Sequence, residues 1–155
     1  SGFLHADYMH LFFNMLTLYF FGEVMEKFYE VYLGKLGFII FYFGGIIVSE
    51  IPSYIKHRNN YHYRSLGASG GVSAVVFAYI LFDPWQWFTF PPIPAILYAG
   101  LYIAYSIYMS KRGTDHINHD AHLWGALYGI GFTIILEPKV IEFFLQQIGN
   151  PRGPG

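Results

Sequence analysis

The sequence predicts an all-α bundle of membrane helices, and two observations carry that expectation. Composition is the first: 54% of the 155 residues are hydrophobic and 21% aromatic, while 12% are charged. An ordinary soluble domain carries about twice that charged share. The second is that apolar runs of near-membrane length recur through the chain, which fits a polytopic protein better than a globule around one core. A net charge of −1 with the nine Lys and Arg scattered gives no nucleic-acid footprint. Cysteine is absent, so disulfides are excluded and the redox compartment is left open. The chain begins Ser1-Gly2 without a methionine or a visible signal peptide, and reads as a fragment.

Five spans are expected. The first runs from about Tyr8 to Phe28 and the second from about Gly34 to Ile51, stopped by Pro52. A polar loop through Lys56-His57-Arg58-Asn59-Asn60 leads to a third span over about Leu66 to Phe82. The link from Asp83 to Pro92 contains too much proline to be helical throughout, and Trp85 and Trp87 suit a membrane interface. Span four covers about Ile93 to Met109, and span five about Ala121 to Leu136 after the loop Lys111-Arg112-Gly113-Thr114-Asp115. Residues 1–137 are thus one membrane domain, with neither an internal repeat nor a second domain. Residues 138–155 form a tail: an amphipathic surface helix with Val140, Phe143, Phe144 and Ile148 at helical spacing, then a flexible end.

The stretch Gly67-Ala68-Ser69-Gly70-Gly71 organises the polar residues. Glycine on both sides leaves the Ser69 hydroxyl uncrowded, and it also gives the helix a small-residue packing face. Taken alone, the stretch supports either use. Alternation of the spans, however, makes the first, third and fifth cross in one direction. His10 and Asn14 come early in span one, Ser69 early in span three and His122 early in span five. These four polar groups therefore sit at similar depth on one side of the membrane, where each is costly unless it serves a partner, water or a function.

The chemistry they could perform is acyl transfer. A serine hydroxyl attacks only when a base within hydrogen-bond reach takes its proton, and His122 is the candidate base and later acid. Gly125 and Gly129 lie three and seven residues beyond it, on its own helical face, where they permit close approach to the Ser69 helix. An oxyanion would need preorganised donors: the Asn14 amide, a His10 ring N–H and the Ser69 backbone N–H are available. Asp120, two residues before His122, points to another side of the helix. Each residue also has a plainer use: Ser69 and its glycines could simply pack, and the histidines and Asn14 could hold helices together by hydrogen bonds. His116, His119 and His122 with Asp115 and Asp120 raise a metal site, but His-Glu-x-x-His is missing and polar-loop histidines are usually solvated. Tyr98, Tyr102 and Tyr105 form a stripe on span four that could line a substrate's approach; packing against lipid or a neighbour is the simpler use.

His5-Ala6-Asp7-Tyr8-Met9-His10-Leu11-Phe12-Phe13-Asn14, then Gly67-Ala68-Ser69-Gly70, then Ala121-His122 followed by Gly125 and Gly129 resembles the rhomboid intramembrane serine proteases over about Leu4 to Leu136. The resemblance implies a Ser69–His122 dyad without an acid, needing no cofactor and no metal, with His10 and Asn14 holding the oxyanion. It implies structural roles for His5 near the site and for Glu26, in Gly22-Glu23-Val24-Met25-Glu26, at the far end of span one. It also implies transmembrane protein substrates, residence in a lipid bilayer such as a bacterial plasma membrane, and a dyad towards the outer face. Charge alone does not orient the chain: Lys56, Arg58, Arg64, Lys111 and Arg112 on the dyad side nearly balance Lys27, Lys35, Lys139 and Arg152 opposite.

The sequence departs from the family in two places besides the missing first core span and its loop. An aromatic residue often stands four positions after the nucleophile and stacks on the catalytic histidine; here Ser73 stands there. Asn118-His119-Asp120 precede the histidine where many members have small residues and an asparagine. Two other classes remain: a rhomboid-like protein without catalysis that binds or escorts membrane clients, and a transporter or channel. The latter would call for more intramembrane carboxylates than Glu50.

Overall fold

A computed structural model describes residues 2–59, 68–88, 92–112 and 119–154, without the side chains of 2–7, 9, 10, 13, 57, 109, 110 and 112. The described residues form six helices: α1 Gly2–Leu33, α2 Gly37–His57, α3 Ser69–Ile80, α4 Ala95–Arg112, α5 His119–Leu136 and α6 Val140–Ile148. The fold is all-helical, and each of the five expected spans overlaps one of α1 to α5. Among the described helices, α2 over Gly37–Lys56 is the one both long and apolar enough to cross a membrane; Ser69–Ile80 and Ala95–Tyr108 are shorter apolar helices.

Local chemistry explains the boundaries. α1 contains neither proline nor a positive-φ residue and continues to Leu33, where Gly34 at φ 77° reverses the chain. The Gly34 N–H donates to the Glu30 carbonyl at 2.9 Å, and the Gly37 N–H to the Gly34 carbonyl at 2.7 Å. This left-handed position favours glycine. The expected stop at Pro52 is corrected: α2 runs through the proline to His57. Proline deprives one carbonyl of its bond, but Ser49 and Ser53 on either side are wholly buried. Packing on that face holds the helix across the gap.

α3 is the centre, touching α1, α2, α4 and α5, with ten of its twelve residues buried. One apolar cluster on it contains Met25, Tyr29, Phe41, Ala74, Val75 and Ala78; the other contains Val76, Phe77, Ile80, Ala95, Ala99 and Ala126. Tyr29 stacks on Phe41 at 4.1 Å, and Phe41 in turn on Tyr128 at 5.5 Å. Outward faces are also apolar, with Leu11, Phe12, Met15 and Phe20 on α1 and Ile39, Ile40, Phe43 and Ile47 on α2 all exposed. A bundle surrounded by lipid has no reason to hide such side chains.

Polar clasps sit at the ends. The Tyr32 hydroxyl donates to Glu137 at 2.6 Å, which together with the Lys139 N–H holds that exposed carboxyl below the usual carboxylate range. The link between α3 and α4 folds back on itself, with Phe88 N–H to the Ile93 carbonyl at 3.0 Å and Ala95 N–H to the Gln86 carbonyl at 2.8 Å. Its tryptophans donate into α6 and the residues beyond: Trp85 to the Gln147 carbonyl at 2.7 Å and Trp87 to the Arg152 carbonyl at 2.9 Å. Arg152 also pairs with Asp83 at 2.6 Å.

Candidate active site

The site grows from a seam between α3 and α5. A methyl group added at Gly125 would run into the Gly70 carbonyl, and one at Gly129 into the Ala74 carbonyl. On the other side of α3, Gly70 leaves room only for the Ser49 hydroxyl of α2, and Gly71 sits against Tyr42 and Ile46. Glycine at these positions lets two backbones meet with no side chain between them. Ser69 and His122 are thereby carried into one place, each near the start of its helix.

They line a cavity of about 160 Å³ together with Asn14 and Thr17 of α1, Val72, Ser73, Val76 and Phe77 of α3, and Tyr98 and Tyr102 of α4. That is room for several waters, or for a small side chain with some water. Polar groups from three helices share it with an apolar, aromatic wall. Ser69 is half-buried, and His122 is 7% exposed.

The surroundings of His122 are specific. Ser73 Oγ donates to the His122 backbone carbonyl at 2.8 Å, tying α3 to α5 beside the ring. The Tyr102 ring stacks on the imidazole with centroids 5.6 Å apart and planes 27° apart. His119 meets it edge-on at 5.7 Å and 82°. Asp120 turns away and pairs with Lys56 of α2 at 3.2 Å.

The expected site residues therefore distribute as follows. Asn14, Ser69 and His122 meet at the cavity, with Gly70, Gly125 and Gly129 in the seam behind it. Glu26 is exposed on α1, twelve residues past Asn14 and so ~18 Å along the helix from the cavity. His5 and His10 lie on α1 with side chains outside the described residues, and Gly67 is outside them altogether. Tyr98 and Tyr102 serve both uses of the tyrosine stripe, packing on Phe88 and Phe77 while lining the cavity; Tyr105 is exposed and lies edge-on to His119 at 5.5 Å. The available signal was the four-residue spacing of Tyr98 and Tyr102 combined with the small Ser73 opposite.

Comparison with known proteins points the same way. The family model of the Rhomboid domain matches residues 1–139. RHOMBOID-like protein 12, mitochondrial, of Arabidopsis thaliana is 31% identical over 145 residues, covering 81% of this chain and 42% of that protein. Putative rhomboid protease YdcA of Bacillus subtilis (strain 168) is 28% identical over 136 residues, covering 88% of this chain and 64% of that one. Presenilin-associated rhomboid-like protein A, mitochondrial, of Danio rerio is 28% identical over 138 residues, covering 85% and 35%. The chain thus spans less than two thirds of the length of each of these relatives. No solved structure matches it. With the family model covering nearly the whole of an all-helical, lipid-compatible bundle, the chain belongs to the rhomboid family of integral membrane proteins.

Proposed function

We propose that this chain is the catalytic part of an intramembrane serine endopeptidase, cutting peptide bonds in or beside the transmembrane segments of other membrane proteins. The observation that carries the reading is the single cavity shared by Ser69, His122 and Asn14, brought from three helices. His122 takes the Ser69 proton as the hydroxyl oxygen attacks the scissile carbonyl carbon, and returns it to the leaving amine as the C–N bond breaks. A water deprotonated by the same imidazole then opens the acyl-enzyme ester and restores Ser69. The oxyanion formed in each half is held by the Asn14 amide, the His10 ring and the Ser69 N–H. That N–H belongs to the first turn of α3, whose amides have no partner within the helix.

The geometry suits a buried reaction. α3 has twelve residues, so it is ~18 Å long against a hydrocarbon core of ~30 Å. Ser69 at its first turn then lies below the membrane surface if α3 ends near the opposite face. A spanning substrate has its carbonyls bonded internally and must unwind locally to present one. Small, helix-weakening residues near the cut are accordingly expected. A bacterial plasma membrane, with the dyad towards the outer face, is what the family resemblance implies, and relatives from a bacterium and from mitochondria fit a membrane setting of this kind.

The test is cleavage of a panel of single-span substrates by the protein in lipid, comparing wild type with Ser69→Ala and His122→Ala. Both variants should lose a thousandfold or more, on the order that removing a nucleophile or its base costs, and a serine-directed phosphonate should label Ser69 alone. Cleavage persisting in Ser69→Ala would sink the mechanism. No cleavage and no labelling by any form would instead favour a client-binding, non-catalytic member of the family.

A further inference from the structure

Ser73 stands four positions after Ser69, and the structure shows an aromatic ring from another helix lying on the imidazole. We infer that Tyr102 of α4 is the positioning residue of His122, its ring fixing the plane of the imidazole that faces Ser69; this rests on the protease reading above.

Three contacts make Tyr102 a fixed platform. Its ring covers one face of the imidazole at 5.6 Å and 27°. Behind it, Tyr98 stacks one helical turn away at 5.9 Å and 30°, and Phe77 of α3 packs against it at 5.7 Å. Ser73 Oγ separately donates to the His122 backbone carbonyl at 2.8 Å. The backbone of His122 is thus tied to α3 through Ser73, while the Tyr102 ring from α4 holds the same residue's side chain. A histidine ring free to turn about its side-chain bonds would spend less time aligned with the Ser69 hydroxyl, and small misplacements of a catalytic group are costly.

Stacking and hydroxyl can be separated. Tyr102→Phe keeps the ring, and Tyr102→Leu removes it; Tyr102→Met is a second ringless variant whose flexible chain fills the space if leucine prevents folding. In lipid, with a cleavable single-span substrate, the phenylalanine variant should keep kcat within about threefold. The ringless variants should lose about tenfold to a hundredfold in kcat with little change in KM, on the scale expected for misplacement. Their rate of phosphonate labelling at Ser69 should fall in parallel. An independent readout needs no substrate: in histidine-labelled protein, the His122 ring protons should lose their ring-current shift in Tyr102→Leu and keep it in Tyr102→Phe. A ringless variant with wild-type kcat, a rise in KM at constant kcat, or an unchanged His122 resonance overturns the assignment while leaving the dyad standing. A wild type that neither cleaves nor labels removes the dyad, and Tyr102 with it.

Discussion

Two hydroxyls buried against α5 do their work without charge. Thr133 gives its proton to the Gly129 carbonyl at 2.7 Å, so the 2.7 Å bond to Tyr29 must be donated by the tyrosine. Tyr29→Phe removes that donor and leaves the threonine satisfied, a modest loss of about 1 kcal/mol. Reversible unfolding in detergent micelles would measure it, and a variant as stable as wild type would show the bond to be worthless. At this scale polarity in an apolar setting made Asn14, Ser69 and His122 legible from the sequence. Tyr102 was not legible in the same way. A stripe of tyrosines defines one face of α4, but periodicity within a helix says nothing about which neighbour that face will meet.

At the scale of elements, glycine has opposite meanings in different places. Gly125 sits where any side chain strikes the Gly70 carbonyl, so Gly125→Leu should force α3 and α5 apart at a cost of about 3 kcal/mol or more and abolish activity together with stability. Gly100 on α4 has open space around its Cβ position. Gly100→Ala should therefore stabilise by about 0.5–1 kcal/mol through helix propensity alone. Thermal denaturation of the two variants side by side checks both, and similar melting points would contradict the seam. The seam was readable because glycines three and seven residues after His122 define a face. Pro52 was misread because its local cost was visible in the sequence while the burial of Ser49 and Ser53 around it was not.

At the scale of the whole molecule, the ion pairs Lys27–Glu23, Lys56–Asp120 and Arg152–Asp83 among the described residues lie on the surface, as does the clasp at Glu137. Glu137 is held below its ordinary range chiefly by the Tyr32 hydroxyl, then by the Lys139 N–H. Because the folded value is depressed, the clasp between α1 and the α5–α6 turn contributes above the unfolded carboxyl's pKa of ~4.3 and is lost as pH falls through the folded one. The difference in melting temperature between wild type and Tyr32→Phe should accordingly be present near neutrality and shrink on acidification into that range. A difference that stays constant down to strongly acid pH would exclude the carboxylate as its source. The all-helical class and the order of the spans were plain from hydropathy. That α3 would lie at the centre was not, since hydropathy tells how apolar a segment is and not which helices it will meet.

The contacts of Trp85, Trp87 and Asp83 with Gln147 and Arg152 join residues 62, 65 and 69 positions apart. Translation runs in one direction, so the indole donors leave the ribosome long before their acceptors exist. Until then the turn between Ser69's helix and Tyr102's helix lacks its only described outside hydrogen bonds of that kind. A nascent chain arrested before Gln147 should consequently be cut in this turn by added protease more readily than one extended well past Arg152. Closure of this turn would then wait until Gln147 to Arg152 have been synthesised, however fast the helices insert.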